Sequence, residues 1–327
     1  MLLSRVLGLG GKEVSDLIKD GKLSDSNDCP NSSLKPVRQQ IPMRRATLSE
    51  GLTISRILPH PERRMVGAWC FFDHFGPVDL QKIGLNIGPH PHIGLQTFTW
   101  PLEGEILHRD SLGYEQVIRP GEINLMTAGK GITHSEESIS KNRLEGVQLW
   151  IALPDSVRFM NPEFAHYTDL PVEEQGGFRL TLLAGDLFNQ SAPAKVYSPL
   201  IGLDLNALSE AKMQLPMNPK FEYGVLVLSG QLFIENEAQG SDSFVYLGCG
   251  RTTLSISASK GTRAILIGGE PFAEEILIWW NFVARSPEEI SKATDDWQNH
   301  RHFGEVKSYP GPRLNAPTFL KDKTKSK

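Results

Sequence analysis

The stretch GPHPHIGLQTFTWPLEGEILH (residues 88–108) contains the pattern that decides the fold. Its segment LQTFTWPL is rich in β-branched and aromatic residues, which favour strands, and it is followed by a corner that carries Gly104. Similar short runs, separated by Gly, Pro and Asn, recur from about residue 44 to residue 165, among them GLTISRIL, EQVIRPG, INLMTAG and GVQLWIALP. Short strands in such a succession are typical of a β-sandwich or a β-barrel.

The second half of the chain repeats this succession of strands. Residues 178–284 contain runs of the same kind, namely FRLTLLAG, EYGVLVLSG, QLFIEN, FVYLG, TLSISA and RAILIGG. The corner LEGEI at residues 102–106 also resembles LSGQL at residues 228–232. Two halves with the same strand pattern and a matching corner indicate a duplicated β-domain. We therefore predict an all-β fold with two sandwich or barrel domains.

One helix is predicted, close to the end of the chain. Ser286–Glu289 form a capping box with Pro287 at the first helical position, and Ile290, Ala293 and Trp297 then fall on one face. We expect this helix to pack against a barrel. The predicted division of the chain is an N-terminal extension, an N-terminal domain, a C-terminal domain and a flexible basic tail, at residues 1–42, 43–170, 171–310 and 311–327.

Composition and charge argue against several classes of function. The 327 residues carry a net charge of −4, so we expect no direct binding of nucleic acid. No apolar run approaches the ~18 residues of a membrane span, and we expect no membrane partner. The three cysteines lie far apart without a C-x-x-C pair, which indicates neither a disulfide framework nor a zinc knuckle. We therefore expect a cytoplasmic protein.

Two short motifs provide the candidate functional site. Residues i and i+2 of a strand point to the same face, so His90 and His92 present two imidazoles side by side, and His134 and Glu136 also share a face. On neighbouring strands these pairs bring four ligand atoms to one point. Three imidazoles and one carboxylate suit non-haem Fe(II) and leave two octahedral positions open. A closed structural zinc site and ordinary buried histidines are the alternatives.

Longer stretches around these pairs resemble the pirin family, a bicupin branch of the cupin superfamily. The resemblance covers about residues 42–305, and its motifs are FDHFGP (72–77), HPHIG (90–94), LEG (102–104), HRDSLG (108–113), PG (120–121), MTAGKGITHSE (126–136) and, more weakly, GGEP (268–271) with WWNFV (279–283). It implies two cupin domains and a single metal ion, usually iron, in the N-terminal one. Carried over to this sequence, the family ligands fall on His90, His92, His134 and Glu136.

The chain departs from the family pattern at Gln96, where many pirins have a glutamate. If the strand alternation continues past His92, Gln96 faces the cavity, but its amide is a poor general base. Glu136 and Gln96 are therefore our candidate catalytic residues. Phe98 and Trp100 share the predicted face of Gln96 and are predicted to line a pocket. Two further pocket candidates are His108 and Met126. The alternative for His108 is a supporting position behind the metal ligands, and the alternative for Met126 is a position in the apolar core.

The second half is expected to hold no metal, because it has no histidine between His166 and His300. At the offsets from Gly230 that match His90 and His92 stand Pro216 and Asn218. We expect the second domain to cover and stabilise the first.

The resemblance implies two different functions. The first is an Fe(II)-dependent dioxygenase that acts on quercetin-like flavonols, with a phenolic substrate and O₂ as partners. The second is a metal- or redox-sensing regulatory protein that binds a transcription factor or a metabolic enzyme. Both need the same ligands, but the enzyme also needs an open, apolar cavity above the metal. We favour the enzyme. Quercetin then represents a class of substrates, and the physiological substrate can be another phenolic compound.

Overall fold

A computed structural model of the chain describes residues 23–26, 32–49, 52–79, 84–140, 142–241 and 243–319. Strands dominate these residues, and they contain a single helix, so the predicted all-β class with a late helix is confirmed. None of the described helical structure has the length and hydropathy of a membrane span. Most of the predicted N-terminal extension, residues 1–22 and 27–31, and the tail residues 320–327 lie outside the described residues.

The N-terminal domain is a sandwich of two antiparallel sheets. Two short strands, β1 (Ser24–Asp25) and β2 (Gln39–Pro42), precede it. Its own strands are β3 (Arg44–Ser49), β4 (Leu52–Leu58), β5 (Trp69–Asp79), β6 (Asn86–His92), β7 (Leu95–Glu103), β8 (Ile106–Asp110), β9 (Glu115–Ile118), β10 (Ile123–Thr127), β11 (Ile132–Ser138), β12 (Arg143–Ala152) and β13 (Glu163–Tyr167). The larger sheet has the order β13-β10-β7-β12-β5-β4-β3, and the smaller has the order β6-β11-β8-β9.

The C-terminal domain repeats this arrangement. Its elements are β14 (Val172–Gln175), β15 (Phe178–Ala184), β16 (Asp186–Leu187), β17 (Gln190–Ser191), β18 (Leu200–Ala207), β19 (Ala211–Pro216), β20 (Glu222–Ser229), β21 (Leu232–Ile234), β22 (Glu237–Gln239), β23 (Ser243–Tyr246), β24 (Thr253–Ala258), β25 (Arg263–Gly269), β26 (Leu277–Trp279), β27 (Phe282–Ala284) and α1 (Pro287–Gln298). Its two main sheets have the orders β14-β15-β18-β25-β20-β23-β2 and β19-β24-β21-β22, and smaller sheets are formed by β16-β17 and by β1-β26-β27. The described parts of the predicted N-terminal extension attach to this half, because β2 pairs with β23 and β1 pairs with β26.

The two large sheets pack against each other and share one apolar core. Trp69 meets Phe98 edge to face at 5.6 Å between ring centroids, and across the domain boundary Phe72 meets Phe244 at 6.2 Å. Ile265 of the second domain belongs to the same buried cluster. Burial of aromatic and aliphatic side chains in one continuous core joins the two domains firmly.

The interiors of the two sandwiches differ in polarity. The C-terminal interior is filled by aliphatic side chains such as Leu203, Leu215, Leu254 and Leu266. The N-terminal interior instead has two smaller apolar clusters with buried polar residues between them. Burial of polar side chains is costly unless they have hydrogen-bond partners or a functional role, and the N-terminal interior is therefore the candidate location of the functional site.

Two segments of the second half reach across to the N-terminal domain. The β26–β27 hairpin does so through Val283, whose N–H donates to the Ile93 carbonyl at 3.1 Å. The chain beyond α1 does so through Leu314, whose N–H donates to the Pro89 carbonyl at 2.8 Å. The described part of the predicted tail is therefore held against the first domain, next to the strand that contains His90 and His92.

Candidate metal centre

Strands β6 and β11 bring three histidines together on the inner face of the smaller sheet. His90 lies directly opposite His134 in the antiparallel pairing, and His92 follows two residues later on the same face. One ring nitrogen from each of the three imidazoles lies within 4.8 Å of the others, and all three side chains are buried. The described residues can therefore hold a metal ion at this point.

Hydrogen bonds orient the imidazoles of β6 towards one another. Nδ1 of His90 lies 2.9 Å from the Gly88 carbonyl, and Nδ1 of His92 lies 2.9 Å from the Asn281 carbonyl. A carbonyl only accepts hydrogen bonds, so each Nδ1 carries the proton and each Nε2 keeps a free lone pair. Asn281 lies at the corner of the β26–β27 hairpin, so the second half of the chain orients a candidate ligand of the first.

His134 is oriented by a chain of side chains instead of a carbonyl. Its Nδ1 lies 3.4 Å from Nδ1 of His108, and Nε2 of His108 lies 3.1 Å from Asp110 Oδ2. The other oxygen of Asp110 accepts the N–H groups of Leu112 and Tyr114. With its Nε2 proton donated to Asp110, His108 accepts the Nδ1 proton of His134, and Nε2 of His134 is left free.

Burial keeps these imidazoles neutral, which is the form that binds metals. Burial lowers the pKa of His90 from 6.5 to about 4, and it lowers the pKa of His92 and of His134 well below 6.5. The Nε2 atoms of His92 and His134 are 3.0 Å apart. Two neighbouring ligands of an octahedral ion with metal–nitrogen bonds of ~2.1 Å have about the same separation. The three residues thus fit a first-row divalent ion.

Glu136 lies in the wall of the same cavity but outside the histidine group. The β6–β11 pairing shifts register between His134 and Glu136, so the alternation is irregular at this point. Thr99 Oγ1 lies 3.5 Å from the Glu136 carboxylate, and burial raises the pKa of Glu136 from 4.5 to about 7. Its assignment as a fourth ligand stays a prediction.

The cavity beside the histidines has a volume of about 70 Å³ and a largely apolar wall. The rings of Phe71 and Trp150 stack at 4.1 Å between centroids, and Trp150 stands edge-on to His92 at 5.2 Å. Leu314 and Asn281 complete the wall from the second half of the chain. The resulting site combines imidazoles that could hold a metal ion with aromatic side chains in the cavity wall.

The prediction that Gln96 faces the metal is wrong. Its Nε2 donates to Thr127 Oγ1 at 2.9 Å and to the Lys195 carbonyl of the second domain at 3.0 Å. Gly94, with a φ of +69°, forms the corner between β6 and β7, which belong to different sheets. The alternation therefore does not continue from His92 to Gln96, and Gln96 faces the second domain.

The same corner overturns two pocket predictions. Phe98 lies in the core that the two domains share, and Trp100 Nε1 donates to Asp204 Oδ2 of the second domain at 2.9 Å. Met126 is buried in an interior apolar cluster and does not line the cavity, in agreement with the core alternative. His108 stacks on Phe164 at 4.5 Å and lies behind His134, as its alternative predicted.

A row of polar residues that was not predicted from the sequence lies on the opposite wall. Arg56, Asp73, Gln148 and Thr99 lie side by side on β4, β5, β12 and β7. Three of them line the cavity, and Thr99 adjoins Glu136 at its end. The available signal was one arginine or carboxylate in each of two largely apolar runs, Arg56 in LTISRIL and Asp73 in WCFFDHF.

The buried histidines make the metal-free protein sensitive to acid. Because their pKa values are lowered on folding, the unfolded chain binds more protons than the folded chain below pH 6.5, and stability falls as the pH falls. Because folding lowers the pKa of His90 from 6.5 to about 4, full protonation of this residue alone lowers the free energy of unfolding by about 3 kcal/mol. We expect the urea midpoint of chelator-treated protein to fall steadily between pH 7 and pH 4.5.

Glu136 opposes the loss of stability with falling pH, and a variant at this position is the control for the pH prediction. Its pKa is raised from 4.5 to about 7, so between these values the folded chain keeps a proton that the unfolded chain has lost. The Glu136→Gln variant lacks this opposing contribution, and its stability should fall more steeply with acid. A urea midpoint that stays constant or rises from pH 7 to pH 4.5 in the wild type contradicts the prediction.

Comparisons with known proteins agree with this fold. The family model described as Pirin matches residues 51–151, and the model described as Pirin C-terminal cupin domain matches residues 202–304. These matches confirm the predicted bicupin fold.

Individual relatives match over most of the chain. A Pseudomonas aeruginosa protein named "Putative quercetin 2,3-dioxygenase" is 48% identical over 298 residues, which cover 90% of this chain and 94% of that protein. A Caulobacter vibrioides "Pirin-like protein" is 36% identical, with 76% of this chain and 88% of that protein covered. A crystal structure of quercetin 2,3-dioxygenase from Acinetobacter baumannii has 47% identity and a TM-score of 0.85, with 87% of this chain and 96% of that chain covered.

Proposed function

The chain belongs to the pirin family, and on this premise we propose that it is a mononuclear Fe(II)-dependent dioxygenase acting on quercetin-like flavonols with O₂. One observation carries the proposal: three neutral, inward-facing imidazoles adjoin a cavity walled by stacked aromatic rings. A purely structural metal site needs no such cavity. The regulatory alternative has no corresponding observation among the described residues, and the enzyme is therefore preferred.

Iron is proposed because the donor set of imidazoles with a nearby carboxylate suits non-haem Fe(II). Once bound, Fe(II) supplies positive charge and open positions at which a phenolic oxygen and O₂ can meet. The site residues are His90, His92 and His134, with Glu136 as the proposed fourth ligand. The domain boundaries given above and a cytoplasmic location, where cysteines stay reduced, belong to the same proposal.

The protein's own residues bind the substrate and handle its proton. The stacked rings of Phe71 and Trp150 give the cavity an aromatic wall against which an aromatic ring system can pack. The Glu136 carboxylate lies in the cavity wall, where it can accept the proton of a substrate hydroxyl. Glu136 therefore takes the catalytic role for which Gln96 had also been considered.

A flavonol requires more room than the described cavity offers. The volume of about 70 Å³ is well below the ~300 Å³ at the lower end of typical ligand pockets. Leu314 closes the cavity from the segment that follows α1, and the Leu314 N–H is bonded to the Pro89 carbonyl. We therefore expect this segment to move aside when substrate enters and to exclude water when it returns.

The deciding experiment is O₂ uptake by anaerobically purified, Fe(II)-loaded protein with a panel of phenolic compounds. We expect quercetin consumption by the wild type and a fall in kcat of about 10²-fold or more in Glu136→Gln. Glu137→Gln is the matched control, because Glu137 neighbours Glu136 and pairs with Arg109 instead of lining the cavity.

Iron content of the same samples separates the two roles of Glu136. A Glu136→Gln protein that keeps its iron but turns over slowly has lost a base, whereas one without iron has lost a ligand. If fully loaded wild type takes up no O₂ with any phenolic compound, the enzyme proposal fails and the regulatory alternative becomes the better one.

A further inference from the structure

The polar row of Arg56, Asp73, Gln148 and Thr99 crosses four adjacent strands of the large sheet. Direct register pairs join Thr99 to Gln148, Gln148 to Asp73, and Asp73 to Arg56. Thr99 lies 3.5 Å from the Glu136 carboxylate, so one end of the row adjoins the metal centre. Three strand spacings of ~4.8 Å place the backbone of Arg56 about 14 Å from that of Thr99 across the sheet.

The rows on either side of this polar row are apolar. On one side Trp150 pairs with Phe71, and on the other Phe75 pairs with Ile54, and all four side chains line the cavity. A polar row between two apolar rows is costly to bury unless it meets polar groups. A planar aromatic ligand that carries oxygen atoms matches this alternation.

Arg56 is rigidly held, and one of its nitrogens is available. Its Nε donates to Asp73 Oδ1 at 2.9 Å and its Nη2 donates to Asp73 Oδ2 at 2.7 Å, which is a bidentate pair. The guanidinium also lies over the Phe71 ring at 4.9 Å from the centroid. No described residue accepts a hydrogen bond from Nη1, although the side chain is only 4% exposed and lines the cavity.

We propose that Arg56, positioned by Asp73, binds a second oxygen of the substrate, a carbonyl or phenolic oxygen remote from the metal-binding end. This inference rests on the proposed function and specifies its substrate class as aromatic compounds with oxygen at both ends. An analogue that lacks the remote oxygen leaves the Nη1 hydrogens, which face the cavity, without an acceptor on the ligand. Sites of this kind reject such analogues strongly.

Two flavonols provide the test, because they share the 3-hydroxy-4-keto group and differ in their ring hydroxyls. Quercetin has hydroxyls on the outer rings, and 3-hydroxyflavone has none. We measure the Kd of each for Fe(II)-loaded protein under nitrogen, which requires no turnover. Wild type should bind quercetin at least about 100-fold more tightly, and Arg56→Gln should lose most of this preference by weakening quercetin binding alone.

Arg251→Gln is the matched control. Arg251 forms a bidentate pair with Glu235 of the second domain, at 2.8 and 3.0 Å, and lies outside the cavity. Its loss should lower stability slightly, because the Glu235 side chain is exposed to solvent, and should leave the preference for quercetin unchanged. Arg56→Lys keeps the charge without the planar fork and should give an intermediate preference.

The outcomes separate the inference from the function on which it rests. Equal affinity of wild type for both flavonols, or equal weakening of both by Arg56→Gln, overturns the role of Arg56 and leaves the dioxygenase proposal standing. If wild type binds neither flavonol, the proposed function fails and the inference fails with it. If Arg56→Gln does not fold, the wild-type preference and Arg56→Lys still decide the question.

Discussion

Replacing His92 with alanine is expected to reduce the bound metal from one ion per chain to less than about a tenth of that, with the fold retained. The variant loses one of three converging imidazoles, together with the hydrogen bond that fixes its orientation on the Asn281 carbonyl. Loss of an outer hydrogen-bond partner alone lowers metal affinity by about 10- to 100-fold, and loss of a ligand should cost more. Metal content by mass spectrometry and circular dichroism of the same sample check both parts.

His166→Ala is the control for this experiment. His166 bonds to Asn124 at 2.8 Å on the outermost strand of the large sheet, away from the cavity. This variant should keep its metal. Full metal occupancy in both His92→Ala and His134→Ala would contradict the ligand assignment.

Gly94→Ala should destabilise the protein by about 4 kcal/mol or more and remove the metal site with the fold around it. A Cβ at this position would lie 2.1 Å from the Val283 carbonyl oxygen, and Gly94 also has a φ of +69°. Left-handed backbone costs a non-glycine residue about 1–2 kcal/mol. The backbone overlap adds a larger cost, because relieving it displaces β27 from the N-terminal domain.

Gly121→Ala separates these two effects. Gly121 has a φ of +92°, but a Cβ built there meets no atom within 4 Å. The control should therefore show only the cost of the backbone conformation, about 1–2 kcal/mol. Urea unfolding of both variants measures the difference, and equal destabilisation would show that the contact between Gly94 and Val283 is unimportant.

The position of Gly94 also explains where sequence reasoning succeeded and where it failed. The pair His90/His92 lies within one regular strand, and alternation within a strand is a local property that a sequence displays directly. The prediction for Gln96 extended this alternation through a corner into a strand of another sheet. A turn between two sheets changes the face to which each following side chain points, and no local sequence pattern predicts this change.

The duplicated all-β architecture, the late helix and the shared face of His90 and His92 follow from the sequence alone, because strand alternation, helix caps and short motifs act over a few residues. Only the tertiary structure decided that Asn281, from the far end of the chain, orients His92, and that Arg56, Asp73, Gln148 and Thr99 form one row. Those contacts join strands distant in sequence. They depend on strand order, register and domain packing, which are set by burial of the whole core and not by neighbouring residues.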